Sequence, residues 1–103
     1  MVVESLCLAI REKHLVKFNY FRDAVSGVRI VEPHMVAYNE SNQLSLSAWF
    51  ISGASESQAG PGWREYLVPY MTDVMLLPEK FLQPRPGYKP DGGKKFHSVQ
   101  CGL

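Results

Sequence analysis

The sequence predicts a small α+β domain that is mainly β, and three observations carry that reading. The chain has 103 residues, 46% of them apolar, which is enough for one domain with a modest core. Its first stretch repeats apolar residues at helical spacing, whereas most of the remaining chain alternates at strand spacing. Clusters of Gly, Pro, Asn and Asp cut the alternating part into short pieces. The expected arrangement is one N-terminal helix followed by five or six short antiparallel strands, in a strongly bent sheet or partly closed barrel.

The helix is expected within residues 1–14. Val3, Leu6 and Ile10 recur three and four residues apart, with Cys7 beside them. Glu4 stands in the first turn, and Arg11, Lys13 and His14 in the last, which suits the helix dipole. Residues 15–77 read as the strands. Val16, Phe18 and Tyr20 alternate with Lys17 and Asn19, and a turn is expected at Asp23 to Gly27. Val28 to Val36 form the next strand. Pro33 within it has no N–H for a ladder and marks an edge, a bend or a bulge.

After a turn at Asn39 to Asn42, Leu44, Leu46, Ala48 and Phe50 share one face of a third strand, and Ser45, Ser47 and Trp49 the other. Ser52 to Gly62 reads as a loop, mobile or ligand-binding. Trp63 to Val68 and Met71 to Leu77 are two further strands broken at Pro69. Residues 78–95 hold Pro78, Pro84, Pro86 and Pro90 with three glycines, so a strap crossing the body is expected there. Residues 96–101 return to alternation as the last strand.

Eleven Lys and Arg against ten Asp and Glu exclude a bulk electrostatic binder of DNA or membrane. No apolar run approaches the ~20 residues of a membrane-spanning helix, and no signal-peptide pattern opens the chain, so a cytoplasmic location is expected. Cys7 and Cys101 are then expected to remain thiols and to serve as two small buried hydrophobes.

Charge is uneven along the chain. Residues 1–79 carry six Lys and Arg against nine Asp and Glu, a net −3. Residues 80–103 carry Lys80, Arg85, Lys89, Lys94 and Lys95 against Asp91, a net +4. This basic tail contacts phosphates or an acidic partner, or simply solvates the chain. His14, His34 and His97 lack metal-ligand spacing, and no nucleophile elbow, phosphate loop or His-Glu-x-x-His motif occurs. No metal, no cofactor and no catalytic residue is expected.

A set of local patterns then lines up in order. Leu8-Ala9-Ile10-Arg11-Glu12-Lys13 is followed by Val16-Lys17-Phe18-Asn19-Tyr20, then by Arg29-Ile30-Val31-Glu32-Pro33-His34 and Leu44-Ser45-Leu46-Ser47-Ala48-Trp49. Gly62-Trp63-Arg64-Glu65-Tyr66 and Arg85-Pro86-Gly87-Tyr88 come after. The set resembles the WYL domain family of bacteria from about residue 5 to 101. The triplet that names the family is not retained, since Leu44-Ser45-Leu46 stands at its place. Leu67 and Tyr70 stand where the family carries arginines. The chain therefore reads as a stand-alone or divergent member.

The resemblance implies an Sm-like or SH3-like β-barrel led by a helix. It implies a non-enzymatic sensor that binds a nucleotide-like or nucleic-acid ligand and modulates a DNA-binding transcriptional or defence regulator. Five residues are candidates for that ligand. Arg29 and Arg64 offer guanidinium groups to phosphate, Trp49 offers an indole for stacking, and His34 and Tyr20 offer hydrogen bonds. Arg29 and Trp49 are expected to meet in one water-accessible hollow. The alternative is a protein-interaction or oligomerisation scaffold, pairing with itself or with a separately encoded regulator. Non-specific nucleic-acid binding through Lys94 and Lys95 is a third reading.

Overall fold

A computed structural model describes residues 1–22, 26–54 and 60–103. Helix α1 spans Val2–Glu12 and ends where Lys13 turns left-handed at φ 60°. The strands are β1 His14–Tyr20, β2 Gly27–Asn39, β3 Leu44–Gly53, β4 Gly62–Leu67, β5 Met71–Lys80 and β6 Phe96–Gly102. A short 3-10 turn at Val68–Tyr70, begun by the expected break at Pro69, separates β4 from β5. The turn expected at Asp23 to Gly27 and the loop expected at Ser52 to Gly62 lie partly outside the described residues.

The strands form one antiparallel sheet in the order β4-β3-β2-β1-β5, with β6 added to β2. Alternation dictates its two faces. Val16, Phe18, Val31, Leu46, Ala48 and Phe50 point to one side, where Leu6, Ala9 and Ile10 of α1 cover them. Each of these large side chains is at most 1% exposed. Fully burying one of this size contributes roughly 2 kcal/mol. Tyr66 of β4 stands edge-on to Phe18 and Tyr20 of β1, at 5.0 and 5.1 Å between ring centroids.

Two expectations are corrected. The sheet is not closed into a barrel, because β4 and β5 share no ladder among the described residues. The aromatic side chains of β1 and β4 meet across that side instead. Cys7 and Cys101 are not thiols: they form a disulfide with Cα atoms 5.7 Å apart across a sequence separation of 94. Nothing in so long a separation announces proximity; packing α1 against β6 creates it. Closing a loop of this length destabilises the unfolded chain by about 4–5 kcal/mol on a loop-entropy account.

Among the described residues no helix is long and apolar enough to cross a membrane.

Gly53 ends β3 at φ 119°, and a Cβ there would collide with the carbonyl of Val28. Gly53→Ala is expected to lower stability by about 2–3 kcal/mol in urea unfolding. Unchanged stability would show that β2 and β3 are not held this close.

Candidate functional site

The site begins with one bulge. Pro33 pairs with Ala48 of β3, and Met35 pairs with the next residue, Ser47, so His34 is the extra residue on β2. The strand bends there and changes partner. Before the bend its other edge pairs with β1 up to Val31; beyond it the same edge pairs with β6 from Met35. Pro33, with no N–H to lose, sits in the gap between the two ladders. Sequence reading left an edge, a bend or a bulge open at this proline, and the structure has the bulge with its bend.

The bend holds two buried polar side chains, Glu32 at 5% exposure and His34 at 0%. Both are satisfied by the proline-rich strap, residues 81–95. Arg85 grips Glu32 with two hydrogen bonds, Nε to Oε1 at 2.7 Å and the second guanidinium nitrogen to Oε2 at 2.8 Å. The hydrogen bonds to the Glu32 carboxylate raise the Arg85 guanidinium above its ordinary value, against the opposing effect of burial. The Arg85 backbone N–H donates to His34 Nε2 at 3.0 Å. That makes Nε2 an acceptor, so Nδ1 carries the proton and donates to the Glu32 carbonyl at 2.8 Å. Phe81 stacks on the imidazole, and Trp63 and Tyr88 meet it edge-on. Burial pushes His34 below its ordinary value of 6.5, and Arg85 adds to this; the Glu32 carbonyl and carboxylate oppose it.

Three further contacts fix the strap. Trp63 Nε1 donates to the Pro86 carbonyl at 2.9 Å. The Tyr88 hydroxyl donates to the Leu103 carbonyl at 3.1 Å. The Leu103 N–H donates to the His34 carbonyl at 3.0 Å, bringing the chain end to the same corner. Gly92 then lets the strap turn back at φ 87°, where a Cβ would press on the Phe96 carbonyl.

The result is a cavity of about 490 Å³ between the strap, β6 and the sheet face away from α1. Its floor is apolar and aromatic: Met35, Trp63, Tyr88 and Phe96. Its rim is cationic: Lys89, Lys94 and Lys95. Lys95 lies 3.5 Å from the Glu65 carboxylate, which also takes hydrogen bonds from Asn39 and Ser45. An apolar floor under a basic rim suits a flat ring bearing negative charge. Among the described residues no group of three His, Cys, Asp or Glu is placed to hold a metal ion.

The five residues singled out from sequence fall into two places. Trp49 pairs with Glu32 and Trp63 on the strap side of the sheet, as its strand alternation required. It does not line the cavity: the Arg85 guanidinium lies 5.1 Å over its ring, and Trp63 meets it edge-on. His34 supports the strap from beneath.

Arg29, Arg64 and Tyr20 sit on the other face. Arg29 pairs with Phe18 and is 3% exposed, with its guanidinium 5.6 Å over Tyr20. Arg64 pairs with Ala48 and lies 5.2 Å over Phe50, donating to the carbonyls of Trp63 and Gly60. The Tyr20 hydroxyl accepts from the Leu67 N–H at 2.9 Å. The expected meeting of Arg29 and Trp49 in one hollow is therefore corrected: the sheet stands between them.

Sequence reading did not single out Trp63, Tyr88, Lys89 or the Glu32–Arg85 pair as site residues. The signal available was the concentration of five basic residues in the last 24, three of which the strap gathers on one rim.

Two outcomes follow from the corner. Arg85→Ala leaves the buried Glu32 carboxylate without a partner and is expected to cost about 2 kcal/mol, a figure reduced for the guanidinium's 41% exposure. Glu32→Gln leaves only a half-solvated cation and is expected to cost less. Urea unfolding of both variants checks the asymmetry, and equal costs would contradict it. The unfolded chain takes a proton at His34 near pH 6.5, whereas the folded chain, with its lowered value, takes it only at lower pH. Stability is therefore complete above that pH and falls as pH drops towards 5, by at most about 1.4 kcal/mol per unit from this group. His34→Gln is expected to flatten that part of the profile, and an unchanged slope would refute the assignment.

Comparison with protein-family models, curated proteins and solved structures finds no match.

Proposed function

We propose that the chain is a non-enzymatic ligand-sensing module whose strap cavity takes an anionic, ring-bearing ligand of nucleotide type. The single observation behind this reading is the cavity of about 490 Å³, with aromatic side chains below and three lysines above. A base would rest on the floor, where stacking on one aromatic side chain contributes roughly 1–3 kcal/mol. The phosphate would meet Lys89, Lys94 and Lys95, whose flexible ammonium groups suit a phosphate held at the rim. Arg85 is held by two short hydrogen bonds to buried Glu32, whereas the longer, more exposed contact of Lys95 with Glu65, at 3.5 Å, is one a phosphate would displace.

The regulatory part of this reading rests on the sequence resemblance to WYL domains; the fold contributes one N-terminal helix and an open antiparallel sheet. In this reading the module is cytoplasmic, and a separately encoded DNA-binding regulator reads its ligand state in transcriptional or defence control. The site is relocated from Arg29, Arg64 and Tyr20 to the strap. Trp49 and His34 keep a role in holding the strap in place.

Titration with adenosine monophosphate and short single-stranded oligonucleotides, followed by indole fluorescence, tests the proposal. Trp63 lines the cavity and Trp49 stands beside it, so a saturable change is expected. Binding is expected to weaken about tenfold in Lys94→Ala/Lys95→Ala and to fall as salt rises. No change in fluorescence at millimolar nucleotide, or binding indifferent to both lysines, would overturn it.

A further inference from the structure

We propose that the Cys7–Cys101 disulfide is a thiol-exchange site, and that a dithiol reductant acting there loosens one wall of the strap cavity. The second half rests on the cavity reading above; the first does not.

Access comes first. Both cysteines are half-buried, and the bond lies at the floor of an open depression of about 510 Å³, beside Glu4, Leu8 and Arg11. A thiolate can approach from solvent.

The bond adds a covalent tie to a strand otherwise held by its ladder with β2, by His97 against Tyr38 and Asn42, and by Leu103. Among the described residues β6 pairs with β2 alone, and its register breaks between the partners of Val36 and Tyr38. Its side chains at 97–100 are all exposed, so the strand contributes little buried area. At its far end the disulfide ties Cys101 to α1, and Leu103 ties to His34 and Tyr88.

The consequence reaches the cavity from both ends of β6. Phe96, where the strand starts, lines the cavity next to Lys94 and Lys95. Tyr88, which also lines it, donates its hydroxyl proton to the carbonyl of Leu103, two residues beyond Cys101. Freeing Cys101 removes the covalent hold on both contacts.

The exchange balances without a further reactant. One thiolate of the dithiol attacks a cystine sulfur, forming a mixed disulfide and releasing the other cysteine as a thiolate. The second thiolate of the dithiol then attacks the mixed bond. The dithiol leaves as a cyclic disulfide, and two electrons and two protons end on Cys7 and Cys101.

The test uses the full oxidised chain, dithiothreitol without denaturant, iodoacetamide trapping with mass measurement, and amide hydrogen exchange. Two alkylated cysteines are expected in chains that keep their far-ultraviolet dichroism. Exchange is expected to rise at least about tenfold in β6 and across 88–96, with β1 and β3 little changed. A bond that survives until urea unfolds the chain would overturn the proposal. So would reduction that leaves β6 exchange unchanged, or that unfolds the whole domain at once. Cys7→Ser/Cys101→Ser is expected to fold and to exchange like the reduced chain; failure to fold would mark the bond as a purely structural staple and count against the proposal. Adenosine monophosphate titrated into both forms separates the two readings. Binding to the oxidised form about tenfold tighter supports coupling, and equal binding refutes it. Binding to neither form refutes the cavity reading, while the exchange data still decide the redox one.

Discussion

A buried carboxylate gripped by a guanidinium holds the strap to the sheet. Glu32 is 5% exposed, and the two hydrogen bonds from Arg85 are its charged partners. Water cannot replace them at that depth, so the strap segment carrying Arg85 has one place to lie. His34 fixes the same residue through its main chain. The two interactions meet at the bulge of β2, where the strand has lost β1 and not yet gained β6. The gap in pairing makes room for the strap, and the strap satisfies the polar groups that the gap leaves buried.

From that attachment the remaining geometry follows. With Arg85 seated, Pro86 reaches Trp63 and Tyr88 reaches Leu103, and the glycine-rich segment beyond must turn back over Met35 and Phe96. Lys89, Lys94 and Lys95 line the cavity, with Lys95 3.5 Å from the Glu65 carboxylate of β4. The two kinds of cation differ chemically: a forked guanidinium grips a buried fixed carboxylate, while the proposed ligand would meet flexible ammonium groups.

Much of this was legible in the sequence, and the failures have identifiable causes. The helix and the strands declare themselves because their periods are local. Pro33 declares an irregularity, whether edge, bend or bulge, because a missing N–H is a property of one residue. Trp49 lies on the predicted side of its strand. Arg29 shares a face with Val31, and that parity already placed it on the core side; reading its guanidinium as a phosphate ligand overrode the pattern. Barrel closure could not be read, since it depends on whether β4 and β5 meet. The disulfide was hidden by a separation of 94 residues and by an assumption about compartment. The Glu32–Arg85 pair, 53 residues apart, is likewise a product of the fold.

The attachment of the strap to the bulge is tested most directly at the His34 ring. Nitrogen-15 chemical shifts at neutral pH report which ring nitrogen holds the proton, and a coupling across the hydrogen bond reports the donor. The account predicts a neutral ring protonated at Nδ1, with Nε2 coupled to the Arg85 amide. A proton on Nε2, or a ring charged at neutral pH, would mean that the strap is not seated there, and the cavity would lose one wall.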